Sequence, residues 1–114
     1  MSFSELELKR IDRVVGDFCR SHSPVEHRDK VRTEYRVSGH EVLIFETRPA
    51  FRDPSHWIEH GIAKLRFIRT AGEWRLFWHR ASLKWKSYEP MASSRDMTEL
   101  VDEIDRDPSA CFFG

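Results

Sequence analysis

Apolar residues recur at two different periods along the chain, and each change of period marks an element. Between Glu5 and about His22, Leu8, Ile11, Val15 and Phe18 stand three or four residues apart, with Leu6, Val14 and Cys19 widening the stripe. That spacing predicts an amphipathic helix. Ser4 and Glu7 form a capping-box pair at its start, and Ser23-Pro24 ends it. The period then falls to two. Val31, Thr33, Tyr35 and Val37 alternate with Arg32, Glu34 and Arg36, which predicts a half-buried strand, and Ser38-Gly39-His40 is a turn leading into a hairpin. The continuous apolar run Val42 to Phe45 predicts a strand covered on both sides. Pro49 to His60, with two prolines and no steady pattern, reads as the one long loop. Alternation resumes over Ile62 to Thr70, and Ala71-Gly72 turns the chain into Trp74, Leu76 and Trp78, which alternate with Arg75, Phe77 and His79. Leu83 and Trp85 extend the same contrast against Lys84, Lys86 and Tyr88. Met97, Leu100, Val101 and Ile104 return to helical spacing, capped by Ser93 or Ser94 and stopped by Asp107-Pro108. The tail Cys111-Phe112-Phe113 is apolar enough to pack against the sheet.

The order of elements predicts an α+β fold of two layers: an antiparallel meander of four or five strands with an N-terminal and a C-terminal helix on one face. A chain of 114 residues forms one domain over residues 1–114, because that size hides roughly two-thirds of the unfolded surface. Parity then sorts the side chains. Trp74, Leu76, Trp78 and Trp85 face the helices, and Arg32, Arg36, Lys64, Arg66, Arg75, Phe77, His79, Lys84, Lys86 and Tyr88 share the other face.

Charge changes this picture only locally. Lysines and arginines number 19, as do aspartates and glutamates, which argues against a polybasic binder on bulk charge. Residues 61–90, however, carry seven basic and two acidic groups, and residues 91–114 carry two and six. The tryptophan strands are basic and the C-terminal segment is the acidic counterweight. Cys19 and Cys111 form neither a disulfide framework nor a metal spacing, and no motif calls for a cofactor. No stretch has the apolar core of a signal peptide or the length of a membrane span, so a cytoplasmic protein with no membrane partner is expected.

Two clusters carry candidate chemistry. His56-Trp57-Ile58-Glu59-His60 matches the H-x-x-E-H pattern that places two zinc ligands one helical turn apart. Here the match falls in a proline-containing loop running into a strand, so no metal site is expected, and His56, His60 and His79 are only weak ligand candidates. Glu46, Arg48, Glu59, His60, Lys64, Arg80 and Lys84 lie near strand ends or the loop and could converge on a polar pocket. Within it Glu46, Glu59, His60, Lys64 and His79 are the weak catalytic candidates, a histidine titrating near neutrality. A ladder of cross-strand ion pairs explains the same residues more simply. Cys111, four from the end, formally fits a prenylation signal, but phenylalanines in place of aliphatics favour a packed terminus.

Joint runs of residues carry a resemblance: the opening FSELELKRI, Glu46-x-Arg48-Pro49, Glu59-His60-x-Ile62-Ala63-Lys64, Trp74-x-Leu76-x-Trp78-x-Arg80-x-x-Leu83-Lys84-Trp85, Tyr88-x-Pro90 and Asp107-Pro108-x-x-Cys111-Phe112-x-Gly114. Nearly end to end, the chain resembles a family of small bacterial proteins called domain of unknown function 3024. The resemblance implies a single-domain bacterial protein and brings no catalytic residue with it.

The leading functional expectation is a binding module whose basic-aromatic sheet face, through Arg66, Arg75, Phe77, Lys84, Lys86 and Tyr88, contacts single-stranded nucleic acid or another polyanion. Planar side chains stack on bases while cations meet phosphates. A small enzyme or ligand binder using the polar cluster, and a homodimer packed through the aromatic faces, are the alternatives.

Overall fold

The capping box forms as expected: the Ser4 amide donates to Glu7 Oε1 at 2.8 Å and the Glu7 amide to Ser4 Oγ at 3.2 Å. A computed structural model of the chain describes residues 3–23, 26, 29–80, 82 and 84–113; Pro24, Leu83 and Gly114, named above, lie outside the described residues. From Ser4 the first helix runs as α1 (Glu5–Ile11), a π-helical turn (Asp12–Gly16) and α2 (Asp17–Ser21). Its buried stripe is Ile11, Val15, Phe18 and Cys19. Leu6 and Leu8, expected on that stripe, are exposed instead. Phe3, just ahead of the cap, is buried and stacks on Trp74 with ring centroids 5.5 Å apart, filling the sheet surface at that end.

Six strands follow: β1 (Arg32–Ser38), β2 (Glu41–Pro49), β3 (Trp57–Ile68), β4 (Glu73–His79), β5 (Trp85–Ser87) and β6 (Ser93–Ser94). The sheet is an antiparallel meander in the order β1-β2-β3-β4-β5, and β6 pairs with β4 beyond β5. The last edge is therefore one strand interrupted by a 3-10 turn at Glu89–Met91. Gly39 and Gly72 turn the chain with φ near +60° (58° and 61°), a conformation other side chains adopt at a cost. At the opposite edge, the Thr33 amide donates to Ser23 Oγ at 2.7 Å and the Ser23 hydroxyl donates to the Thr33 carbonyl at 3.1 Å. That hydroxyl stands where a further strand would pair, which protects the edge.

The expected loop from Pro49 to His60 is shorter than the pattern suggested, because β3 already begins at Trp57. The cause is a bulge. Ile44 pairs with Ala63 but Phe45 with Gly61, so Ile62 is the extra residue and both Ile62 and Ala63 are buried. Two successive inward residues break the period-two signal in the middle of a 12-residue strand.

α3 (Met97–Arg106) covers the same sheet face as the first helix. Asp96, rather than Ser93 or Ser94, caps it, accepting from the Thr98 amide at 3.0 Å, while the two serines are taken into β6. Asp107 ends it in the left-handed region, and its carboxylate accepts from the amides of Phe112 (3.0 Å) and Phe113 (2.8 Å), folding the tail back. Phe112 is buried against Tyr88. One continuous core joins Ile11, Val15, Ile44, Leu65, Leu76 and Ile104 between the helices and the sheet.

Candidate functional site

Strand register places the face turned away from the helices. Arg66 lies opposite Arg75 and Glu41, Lys64 opposite Phe77 and Leu43, and Phe45 opposite Gly61, all out of step with the buried Val42, Leu65 and Leu76. A cation lies over an aromatic ring four times on this face: Arg32 over Trp57 (4.6 Å), Arg36 over Phe45 (4.6 Å), Lys64 over Trp85 (4.8 Å) and Arg66 over Phe77 (5.0 Å). Each such contact stabilises by about 0.5–1 kcal/mol at exposed sites.

Three of the expected facings are corrected. β5 sits one residue out of phase with its expected pattern: His79 pairs with Trp85 and Trp78 with Lys86. Trp85 therefore joins the outer face, where it stacks on His79 with centroids 4.6 Å apart, instead of the core. Lys86 takes the helix-side phase, but on an edge strand, where it is exposed to solvent. Tyr88 is fully buried, its hydroxyl donating to Glu103 at 2.7 Å, so it contributes nothing to the outer face. The short β5, three residues long, is too brief to fix its own phase; the register with β4 and the buried Tyr88–Glu103 bond fix it. Trp74 and Leu76 face the helices and are buried, and Trp78 packs on the core half-buried.

Electrostatics divides the cations into two groups. Arg36 pairs with Glu59 (2.8 Å), Arg66 with Glu41 (2.7 Å) and Arg75 with Glu73 (3.5 Å). These exposed pairs contribute little to stability, but each cancels a positive charge. Among the described residues, Lys64, Arg80, Lys84 and Lys86 have no carboxylate within 4.0 Å. They gather at the end of the sheet where Arg80 N–H donates to the Lys84 carbonyl at 2.9 Å, closing the β4–β5 connection. Lys64 lies over Trp85 on the outer face, Arg80 lies over Trp78 at 5.9 Å on the helix side, and His60 stands 5.6 Å from His79, centroid to centroid. His79 Nδ1 is buried with no hydrogen-bond partner. Gly61, opposite Phe45, lets the Trp85 ring lie flat on the sheet: an added Cβ would meet Trp85 at 2.8 Å and His79 Nδ1 at 3.2 Å. The sequence reading missed Trp85 and Gly61 because their relation runs between strands that are not adjacent.

The polar cluster is divided in the structure, with His60 beside His79 and two of its carboxylates held in ion pairs. Glu59 is held by Arg36, Glu46 is held by Arg48, and His60, Lys64 and His79 stand on the open sheet. A cleft of about 710 Å³ opens elsewhere, between the first helix and β1, where Cys19, Arg20, Thr33 and Tyr35 line it. Burial pushes the Cys19 thiol up to about 12, which leaves it protonated and unreactive. His56 ends a loop and His60 lies four residues on in a strand, about 13 Å along it rather than one helical turn. Among the described residues, no group of three or more histidine, cysteine, aspartate or glutamate side chains is placed to hold a metal ion. No helix among them is long and apolar enough to cross a membrane.

A family model described as Domain of unknown function (DUF3024) matches residues 3–114. The chain belongs to that family. No curated protein and no solved structure matches it. The match spans all the elements described above, including the two tryptophan-bearing strands and the α3 tail clamp, and it carries no activity with it.

Proposed function

We propose that the chain is a binding module for a polyanion, single-stranded nucleic acid foremost, centred on the end of the sheet that bears Trp85, Lys64, Arg80, Lys84 and Lys86. One observation carries the reading: the sorting of charge on the sheet. Arg36, Arg66 and Arg75 are each neutralised by a glutamate, whereas Lys64, Arg80, Lys84 and Lys86 lack a carboxylate partner among the described residues and lie at one end of the sheet, with Lys64 over Trp85 on the outer face and Arg80 over Trp78 on the other. Unneutralised cations beside an aromatic surface suit phosphates and bases together. The reading keeps Lys84 and Lys86 of the expected strip, adds Lys64, Arg80 and Trp85, and leaves out Tyr88 and the ion-paired Arg66 and Arg75.

Fluorescence anisotropy with a labelled oligothymidylate at low ionic strength tests it. Binding that Lys84→Ala with Lys86→Ala weakens, and that Trp85→Ala weakens further, is expected; an unchanged signal across those variants defeats the reading.

The ion-paired half of the face supports a second reading. Its arginines and aromatic rings, with charge balanced by Glu41, Glu59 and Glu73, resemble the composition of protein interfaces, so a homodimer packed through that half is compatible with the same molecule. Sedimentation equilibrium of the wild type against Arg36→Glu tests it: a dimer that the variant dissociates supports this reading, and a monomer at every concentration removes it.

A further inference from the structure

Resting on the polyanion reading, we propose that Phe51 is a second stacking residue, so that the ligand is a base-bearing single strand running from Trp85 to the β2–β3 loop and not a bare polyphosphate. Phe51 is 99% exposed, the most exposed of the large apolar side chains among the described residues. A single exposed apolar residue is ordinary on a protein surface. What sets this one apart is how it is held. The Ala50 amide donates to the His56 carbonyl at 2.7 Å, closing the base of the loop, and the His56 amide donates to the Asp53 carbonyl at 2.9 Å. Ser55 donates to Asp53 Oδ1 from its amide (3.2 Å) and its hydroxyl (2.6 Å). The loop backbone on either side is thus braced from within, so covering the exposed ring costs the ordering of one side chain and little reordering of the loop.

Its position is equally specific. In an antiparallel meander the β2–β3 and β4–β5 connections emerge at the same end of the sheet. Phe51 and Arg52 therefore project from the end that also bears Arg80, Lys84 and Trp85. Between them lie Gly61, under the Trp85 ring, and Trp57, four residues earlier on β3 or about 13 Å along the strand, with Arg32 over it. Along this path Trp57 and Trp85 each carry a cation over one ring face, and Phe51 carries none, so both aromatic surface for bases and positive charge for phosphates are present. A bare polyphosphate would use the cations and have no partner for an aromatic ring presented to solvent.

The test compares wild type, Phe51→Ala and Phe51→Trp on two ligands: an oligothymidylate of about ten residues, within the ~4–16 nucleotides such sites span, and inorganic polyphosphate. Phe51→Ala should weaken oligothymidylate binding at least about fivefold, as expected for one lost stack, leave polyphosphate binding unchanged, and leave the urea midpoint unchanged because the ring packs on nothing. Phe51→Trp should retain or improve oligothymidylate binding. Equal affinity of wild type and Phe51→Ala for oligothymidylate overturns the inference while the polyanion reading stands. Equal losses on both ligands overturn it as well, since stacking then plays no part. A wild type that binds neither ligand overturns the polyanion reading itself.

Discussion

Gly61 makes room for Trp85: a Cβ at residue 61 would lie 2.8 Å from Trp85 Cζ2, closer than such atoms approach. The missing side chain lets a ring from β5 reach across β4 and lie on β3. Gly61→Ala should therefore displace the ring and unstack it from His79. Near-ultraviolet circular dichroism should change while far-ultraviolet helix and strand signals stay. Overpacking of this kind costs about 1–3 kcal/mol, read as a lower urea midpoint. An unaltered near-ultraviolet spectrum would mean that Trp85 does not rest there.

Tyr88 and Glu103 bind α3 to the end of the sheet through a buried hydrogen bond of 2.7 Å. Tyr88→Phe removes the donor and leaves a buried carboxylate oxygen short of a partner, at a cost of about 1–3 kcal/mol. Burial, and then the bond to Glu103, raises the Tyr88 phenol above its ordinary value of 10.0. The folded state thus holds this proton more tightly than the unfolded one. The stabilisation is complete below pH 10 and is lost as pH rises above it. Urea unfolding at about pH 8 and about pH 11 should show the gap between wild type and variant narrowing at the higher pH; a gap that widens contradicts the assignment.

Glu7 and Arg69 give the acid counterpart. The Arg69 guanidinium, with the Ser4 amide of the capping box, lowers the Glu7 carboxyl from 4.5 to about 2. A lowered carboxylate contributes stability that is present above pH 4.5 and disappears as pH falls toward 2. Glu7→Gln should be less stable than wild type near neutral pH, and the difference should vanish across that acid window. Thermal melts through the window check it. A difference that persists at the acid end would point to packing and not to charge.

Much of the fold was legible because its signals are local. Ser4 and Glu7 marked a helix start, Gly39 and Gly72 marked turns, and the helical spacing of Met97, Leu100, Val101 and Ile104 marked α3. What escaped was set by distant partners. The bulge at Ile62 put two apolar residues inward in succession, which hid the start of β3 inside an apparent loop. The phase of β5 was misread because Leu83 and Trp85 look like an inward pair, whereas the buried bond of Tyr88 to a helix fifteen residues on turns Trp85 outward. The basic strip was legible as composition, but its division was not. Which arginines are neutralised depends on glutamates from neighbouring strands, such as Glu41 beside Arg66 and Glu59 beside Arg36, and register alone brings those together.

That division is the central claim, and the salt dependence of oligothymidylate binding tests it most directly. Each phosphate neutralised contributes about −0.7 to the slope of log affinity against log salt for a single strand. The Lys84→Ala, Lys86→Ala double variant should reduce the magnitude of that slope by about 1.4, and the Arg66→Ala, Arg75→Ala double variant should leave it where it was. A larger loss of slope from the ion-paired arginines than from the two lysines, or no binding by the wild type at low salt, would contradict the account.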